Sequence, residues 1–469
     1  MTHRSEQPPA LASPRAKGIP ARAQRWRHMF AGDRCWLIPL LVLFLAKGIV
    51  LIAVVAPFTG HDEVDHFYYI ARLAHGDGLG VVGKVDLPPA AAPYQAYVAD
   101  YPTNAEVIQP PLYHLLLVPV YWAIPGGDIA KLEVMRFVSL GLGAVVVWLA
   151  YAVARLGFPG EFWIRAGTPV FVAFQPQFSF EAGIVNHDIL VILLSSLLIY
   201  FLVKWLSTGY TRERQLWLAA ICAAGLWTKT SFGLVLPVVA LCAWFARRDQ
   251  GQRWWRAIPD VAVVWGGALL LALPWFIRSY HLYGDPTGAR RLHTLSDYGA
   301  QASTYRAMIT SAVFWRGRLE DFWGNYGWRL VPFDIGTYQV IELVWVAAGA
   351  GLIMLLIRVI WRKAHGRPGV ISHLQRQVLA IITLWVLLLI YGVLYIGTIQ
   401  FTQSRFAFPA MIGFGVLTVV GLGQWAPKRG RPVLLPLFII GLTLLNVVVA
   451  IRFLIPFYFG AGGPTGLTQ

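Results

Sequence analysis

The chain has 469 residues, 57% of them hydrophobic and only 13% charged, with a mean hydropathy of +0.58. Soluble domains carry about twice that charged fraction, so a soluble enzyme is excluded and an all-α polytopic membrane protein is predicted. The net charge of +16 does not call for nucleic acid as a partner, because lysine and arginine gathered in cytoplasmic loops account for it on a membrane chain.

Residues 1–34 are rich in Pro, Ala and Arg and read as a disordered, basic cytoplasmic tail. The apolar run that follows is too long for a cleaved signal and is taken as an uncleaved first helix. Spanning segments are expected at about 35–57, 134–154, 163–180, 184–205, 214–228, 231–246, 257–279, 338–361, 376–400, 405–424 and 432–456. They form one membrane domain over 35–458, with a short tail at 459–469. The pair 214–246 is short for two full crossings. The run 110–124 is apolar but short and holds Pro119. Reading it as an interfacial helix keeps Arg155, Arg165, Lys204, Arg247, Arg248, Arg358, Arg362, Lys363, Arg376 and Arg431 on the side of the basic tail. That gives about eleven spans, the N-terminus inside, and two large outer loops, 58–133 and 280–337. Cys35, Cys222 and Cys242 lie in apolar stretches and form neither a metal pattern nor a disulfide framework.

The acids gather on the outer side. The stretch "HDEVDHFYYIARLAHG", 61–76, reads as an amphipathic helix on the membrane surface, with Asp62 and Glu63 in its first turn and Val64, Phe67, Ile70, Ala71 and Ala74 as its apolar stripe. Glu181, Asn186 and Asp188 occupy the tip between two spans. Asp188 opens a long apolar helix, so helix capping is an alternative reading for it, as it is for Asp62 and Glu63. Lys229 is flanked on both sides by apolar sequence, which reads as a phosphate contact or as a snorkelling lysine. Arg278 and Arg405 stand at outer ends of spans, where an arginine anchors headgroups or grips a phosphate with two parallel hydrogen bonds. The outer loop 280–337 is basic as well, against the positive-inside trend, with Arg290, Arg291, Arg306, Arg316, Arg318 and Arg329 open to either role.

Taken in order, these pieces resemble the GT-C fold of membrane glycosyltransferases, in the branch of protein O-mannosyltransferases and lipid A aminoarabinose transferases. The residues that carry the likeness are Asp62-Glu63, the run Gln109-Pro110-Pro111-Leu112-Tyr113, the Asn186 and Asp188 tip, Thr228-Lys229, Pro274-Trp275, and the strings "FWGNYGW" and "QSRFAFP". The likeness runs over roughly 35–425. Phe406 stands where relatives commonly have Tyr.

The resemblance implies an inverting glycosyltransferase that moves a sugar from a polyprenyl-phosphate donor to a hydroxyl of a lipid, glycan or protein acceptor. It implies a place in a bacterial inner membrane with the site facing the periplasm. Asp62 is then the expected base and Glu63 orients acceptor or metal. His66, Gln109, Tyr113, Asn186 and Asp188 hold substrate, and Lys229, Arg278 and Arg405 hold phosphate. A divalent cation, Mg or Mn, has Asp62 and Glu63 as its candidate ligands, and metal dependence stays open. A lipid-linked-sugar transporter or flippase is the alternative, although no internal repeat of the transporter kind is visible. A glycan ligase taking a pyrophosphate-linked donor is a near variant, and a scaffold without chemistry leaves Lys229 and the paired acids unexplained.

Overall fold

The computed structural model describes residues 34–83, 89–97, 104–294, 301–427 and 430–465. The expected basic tail lies outside these residues apart from Arg34, as does the last part of the C-terminal tail. Among the described residues, nine helical stretches are long and apolar enough to cross a bilayer: Cys35–Val54, Asp128–Gly157, Asp188–Thr208, Thr230–Asp249, Trp254–Tyr283, Ile335–Ala364, His373–Gly397, Ser404–Trp425 and Val433–Phe459.

Two of the eleven expected segments fall short of that length. In place of 163–180 the chain forms a helix Phe162–Phe174 and a second, Pro176–Ala182. They are separated at Gln175, whose extended backbone suits the residue before a proline. In place of 214–228 it forms the 15-residue helix Arg212–Leu226. At 1.5 Å per residue this covers about 22 Å, less than the roughly 30 Å hydrocarbon core. The Pro119 segment forms the helix Leu112–Ala123, whose 12 residues are too few to cross.

The helices used below are α1 (Arg34–Val54), α2 (Glu63–Ala74), α3 (Leu112–Ala123), α4 (Asp128–Gly157), α5 (Phe162–Phe174), α6 (Pro176–Ala182), α7 (Asp188–Thr208), α8 (Arg212–Leu226), α9 (Leu236–Asp249), α10 (Ile258–Tyr283), α11 (Ala312–Trp323), α12 (Ile335–Ala364), α13 (His373–Gly397), α14 (Met411–Leu422) and α15 (Arg431–Val448). α7 is apolar all round, and it and the crossing Ser404–Trp425 are the most enclosed, each 72% buried, whereas the last crossing is 11% buried and lies at the rim. α4 packs against α1, α5 and α7; α14 fills the space between α5 and α12. The α12–α14 crossing depends on small residues. A Cβ on Gly351 would meet the Gly421 carbonyl, and one on Gly421 the Ala348 carbonyl, so two backbones touch here without side chains between them. Leu269, Leu270 and Leu271 on α10 and Leu343, Val346, Ile353 and Ile357 on α12 are exposed, as a lipid-facing surface requires.

Charges divide between the two ends of this bundle. Arg247 and Arg248 end α9, Arg362 and Lys363 end α12, and Arg155 ends α4. Ion pairs join elements at that end, Arg247 with Asp260 at 2.7 Å and Arg431 with Glu161 at 3.1 Å. The opposite end carries the start of α2, the start of α7 and the turns at Lys229 and Arg405, which meet through their side chains.

Candidate active site

Asp62 is the residue before α2. Its backbone sits in the left-handed region (φ 54°, ψ 10°), which aspartate tolerates better than most residues. Its side chain makes no capping bond to the helix. The capping alternative therefore fails for Asp62, and its carboxylate is directed elsewhere. It accepts from the Nη2 group of Arg405, which lies in the 3-10 turn Ser404–Ala410.

Capping fails for Asp188 as well, for a different reason. It is the first residue of α7, and its own N–H donates to the Asn186 Oδ1 at 2.8 Å. Asn186 does the capping work, and its amide also donates to the His61 carbonyl at 3.2 Å. The freed Asp188 carboxylate accepts from Lys229 Nζ at 2.5 Å and lies 3.8 Å from Arg405 Nη1. Lys229 comes at the turn between α8 and a 3-10 turn, with extended backbone. Neither expected reading, snorkelling or free phosphate contact, describes its present partner. Asp62, Asp188, Lys229 and Arg405 thus form two carboxylates and two cations drawn from four segments separated by up to 343 positions. The quartet is not fully satisfied: Arg405 Nη1 is buried and has no hydrogen-bond partner.

A cavity of about 350 Å³ opens beside it. Asp62, Glu106, Gln109, Lys229, Gln403 and Arg405 supply its polar wall, and Leu234, Leu292, Ile396, Phe401 and Phe406 its apolar wall. Phe406 lies under the Lys229 ammonium, 5.0 Å from the ring centroid. Burial pushes the Glu106 carboxyl up to about 8, and the neighbouring Asp62 and Asp188 carboxylates push the same way against Lys229 and Arg405.

Other expected site residues are held away from this cavity. Glu63 is fully buried. Its Oε1 and Oε2 accept from Arg136 Nε and Nη2 at 2.8 and 2.7 Å, and Oε1 also accepts from the Val185 N–H at 3.0 Å. Arg136, also fully buried, donates as well to the carbonyls of Val55 and Ala56 at 2.8 and 3.0 Å and to Glu133 at 3.1 Å. Asp62 and Glu63 therefore point to different arginines and do not converge on a shared cation, so the expected Mg or Mn ligand pair is corrected. Tyr113 is buried with its hydroxyl 3.0 Å from Ser139 Oγ. Arg278 donates to the Gly80 carbonyl at 2.6 Å and lies over Trp275, tying the 79–80 segment to α10 and standing apart from the cavity. His66 is buried against His114 and His187. The polar side of α2 is thus packed inward with Asp65, His66 and Tyr69, where a surface helix had been expected.

In the loop 280–337, Arg318 and Arg329 both pair with Asp321, and Arg316 pairs with Glu320. Sequence reasoning passed over Arg136, Glu106, Gln403, His114 and His187. Arg136 carried one signal, a lone basic residue inside the apolar run after Glu133. Glu106 carried none, since it is an ordinary loop residue until the chain folds, and Gln403 carried only its place at the head of the "QSRFAFP" string.

No family model matches the sequence, and neither does any curated protein. Among solved structures, ArnT from Cupriavidus metallidurans bound to undecaprenyl phosphate is similar, with a TM-score of 0.50 and 14% identity over 92% of this chain and 75% of that one. The oligosaccharyltransferase of Archaeoglobus fulgidus in complex with Zn and sulfate is similar at a TM-score of 0.50 and 14% identity, over 88% of this chain and 52% of that one. The chain thus spans about half the length of the oligosaccharyltransferase. Both are GT-C membrane glycosyltransferases, and this chain shares their fold.

Proposed function

We propose that the chain is an inverting glycosyltransferase that takes a sugar from a polyprenyl-phosphate donor and passes it to an acceptor hydroxyl on the non-cytoplasmic side of the membrane. The observation that carries this reading is the charge quartet beside the cavity, two carboxylates locked to two cations that a phosphate would bind more completely, with Asp62, Lys229 and Arg405 on the cavity wall. The apolar wall suits the first isoprene units of a lipid donor. ArnT, whose fold this chain shares, was seen with undecaprenyl phosphate, which makes that lipid the first donor carrier to test. The gathering of basic residues at the far end of the bundle supports a cavity open to the outside.

The pairing suggests how the site is armed. A donor phosphate entering the cavity competes for Arg405 and Lys229 and offers each a stronger acceptor than a carboxylate already shared. Arg405 then releases Asp62, whose carboxylate becomes free to take the proton of the acceptor hydroxyl. The acceptor oxygen forms its bond to the anomeric carbon as the bond from that carbon to the phosphate oxygen breaks. Charge grows on the leaving phosphate, where Arg405 and Lys229 stabilise it. A single displacement inverts the anomeric centre. Asp188, released from Lys229 in the same exchange, is placed to hold sugar hydroxyls. Glu63 acts through Arg136 as a positioning residue that fixes the start of α2 and hence Asp62.

The test supplies the purified protein with undecaprenyl phosphate carrying a panel of single sugars, together with a mixture of lipid, glycan and peptide hydroxyl acceptors, and measures release of undecaprenyl phosphate. At least one sugar should give release by the wild-type protein, and Asp62→Asn should lose it while keeping its melting temperature. Normal release by a folded Asp62→Asn variant rules out the base assignment.

A further inference from the structure

Behind the charge quartet lies a second polar cluster that the proposed transfer reaction does not use. His66 stands one helical turn after Asp62 on α2, His114 lies on α3, and His187 is the residue before α7. All three are buried. One ring nitrogen from each lies within 4.8 Å of the other two. His66 Nδ1 is 3.0 Å from His114 Nε2. The Glu106 carboxylate lies beside one of the three, its Oε2 3.3 Å from His187 Nδ1.

A hydrogen-bonded histidine network accounts poorly for this arrangement. Three imidazoles offer six ring nitrogens, and the His66–His114 contact engages two of them. His66 Nε2, His114 Nδ1 and both nitrogens of His187 are buried without a hydrogen-bond partner, and Glu106 Oε2 is too. Each orphaned group of this kind costs about 1–3 kcal/mol. Three imidazoles converging from three segments beside a carboxylate are the donor set of a borderline transition metal and not of Mg or Ca.

We propose that His66, His114 and His187 form a zinc-class metal site that ties α2, α3 and the start of α7 together behind the cavity. The 3.0 Å separation of the His66 and His114 nitrogens is close to the tetrahedral edge of about 3.3 Å that bonds of about 2.0 Å require. His187 has a carboxylate near each ring nitrogen, Glu106 on Nδ1 and Asp188 at 3.4 Å from Nε2. Whichever nitrogen binds metal, the other faces a carboxylate that orients the ring. Held by histidines from three segments, the ion fixes the backbone that presents Asp62 and Asp188. The site uses neither Asp62 nor Glu63, and the inference does not rest on the proposed transfer reaction.

The experiment uses the full chain, purified in detergent with a tag that contains no histidine. Metal content is read by mass spectrometry, after which the protein is stripped with a chelator and titrated with Zn²⁺ alone. The wild-type protein should carry about one metal ion per chain, lose melting temperature on stripping and regain it with Zn²⁺. His114→Gln and His187→Asn, tested separately so that one misfolded variant does not end the experiment, should bind Zn²⁺ about 100-fold more weakly or worse, since an outer partner alone is worth about 10–100-fold. Their melting temperatures should not respond to Zn²⁺. Cobalt substituted into the stripped wild-type protein should give the intense visible bands of a four-coordinate ion. Stripped wild-type protein without saturable Zn²⁺ binding, or folded variants that bind Zn²⁺ as the wild type does, overturn the proposal.

Discussion

Asp62 and Glu63 are adjacent in sequence and equally acidic, yet they belong to two different kinds of site. Glu63 enters a closed knot in which Arg136 donates to both of its oxygens and to two backbone carbonyls at the end of α1. Asp62 enters an open quartet, three of whose members line a cavity, and Arg405 keeps a nitrogen without a hydrogen-bond partner. The knot is complete and has nothing left to bind a ligand, while the quartet is incomplete and adjoins space. The difference teaches that two adjacent acids of like type are told apart by what remains unsatisfied around them, and not by residue type.

The sharpest way to break this comparison is to disturb the knot. Arg136→Ala leaves Glu63 buried and unpaired, and removing one partner of a buried ion pair costs about 3–5 kcal/mol. The variant should fail to accumulate as folded protein, as judged by monodispersity and melting in detergent. Adding Glu63→Gln to it should recover part of the loss, because the stranded charge is then gone. A stable single variant shows that the knot does not carry the fold.

Disturbing the quartet should do the opposite. Asp62→Asn should lower sugar transfer by about 10²–10⁴-fold and leave melting unchanged. Lys229→Ala should weaken undecaprenyl phosphate binding by about 10–100-fold, since a hydrogen bond to a charged group contributes about 1.5–3 kcal/mol. If the melting temperature falls instead and binding persists, the quartet is structural too.

How far this division could be read from the sequence depends on the residue. Nine of the eleven expected spans were legible because hydrophobic runs of the required length are a local property. The shortness of Leu112–Ala123 was legible for the same reason. Lys229 and Arg405 were legible as cations at span ends, and Asp62 and Asp188 as acids at the same level. Their pairing was not, because contacts between positions 62 and 405 or 188 and 229 exist only after the helices pack. Helical spacing placed Asp62 and Glu63 in one turn, but the left-handed backbone at Asp62 moved it out of the helix and separated the two side chains. Lys47 shows the same limit. A lysine inside α1 gives no hint that Asn446 on α15 and the Ala173 carbonyl will accept from it at 3.1 and 2.6 Å.

The smallest effects should come from expected site residues that the fold turns away from the cavity. Tyr113→Phe removes one buried hydrogen bond to Ser139, which is worth about 0.5–1.5 kcal/mol. It should lower the melting temperature slightly and keep sugar transfer within a few-fold of the wild type. Loss of transfer without loss of stability would bring Tyr113 back into the site.

The central claim is that Arg405 is shared between Asp62 and a donor phosphate, so that each competes with the other for it. Equilibrium binding of undecaprenyl phosphate to the wild type, Asp62→Asn and Arg405→Ala tests this most directly. The account predicts that Asp62→Asn binds the lipid phosphate at least as tightly as the wild type, because its arginine is released in advance, and that Arg405→Ala binds it far more weakly. Weaker binding by a folded Asp62→Asn variant, or unchanged binding by Arg405→Ala, would contradict it.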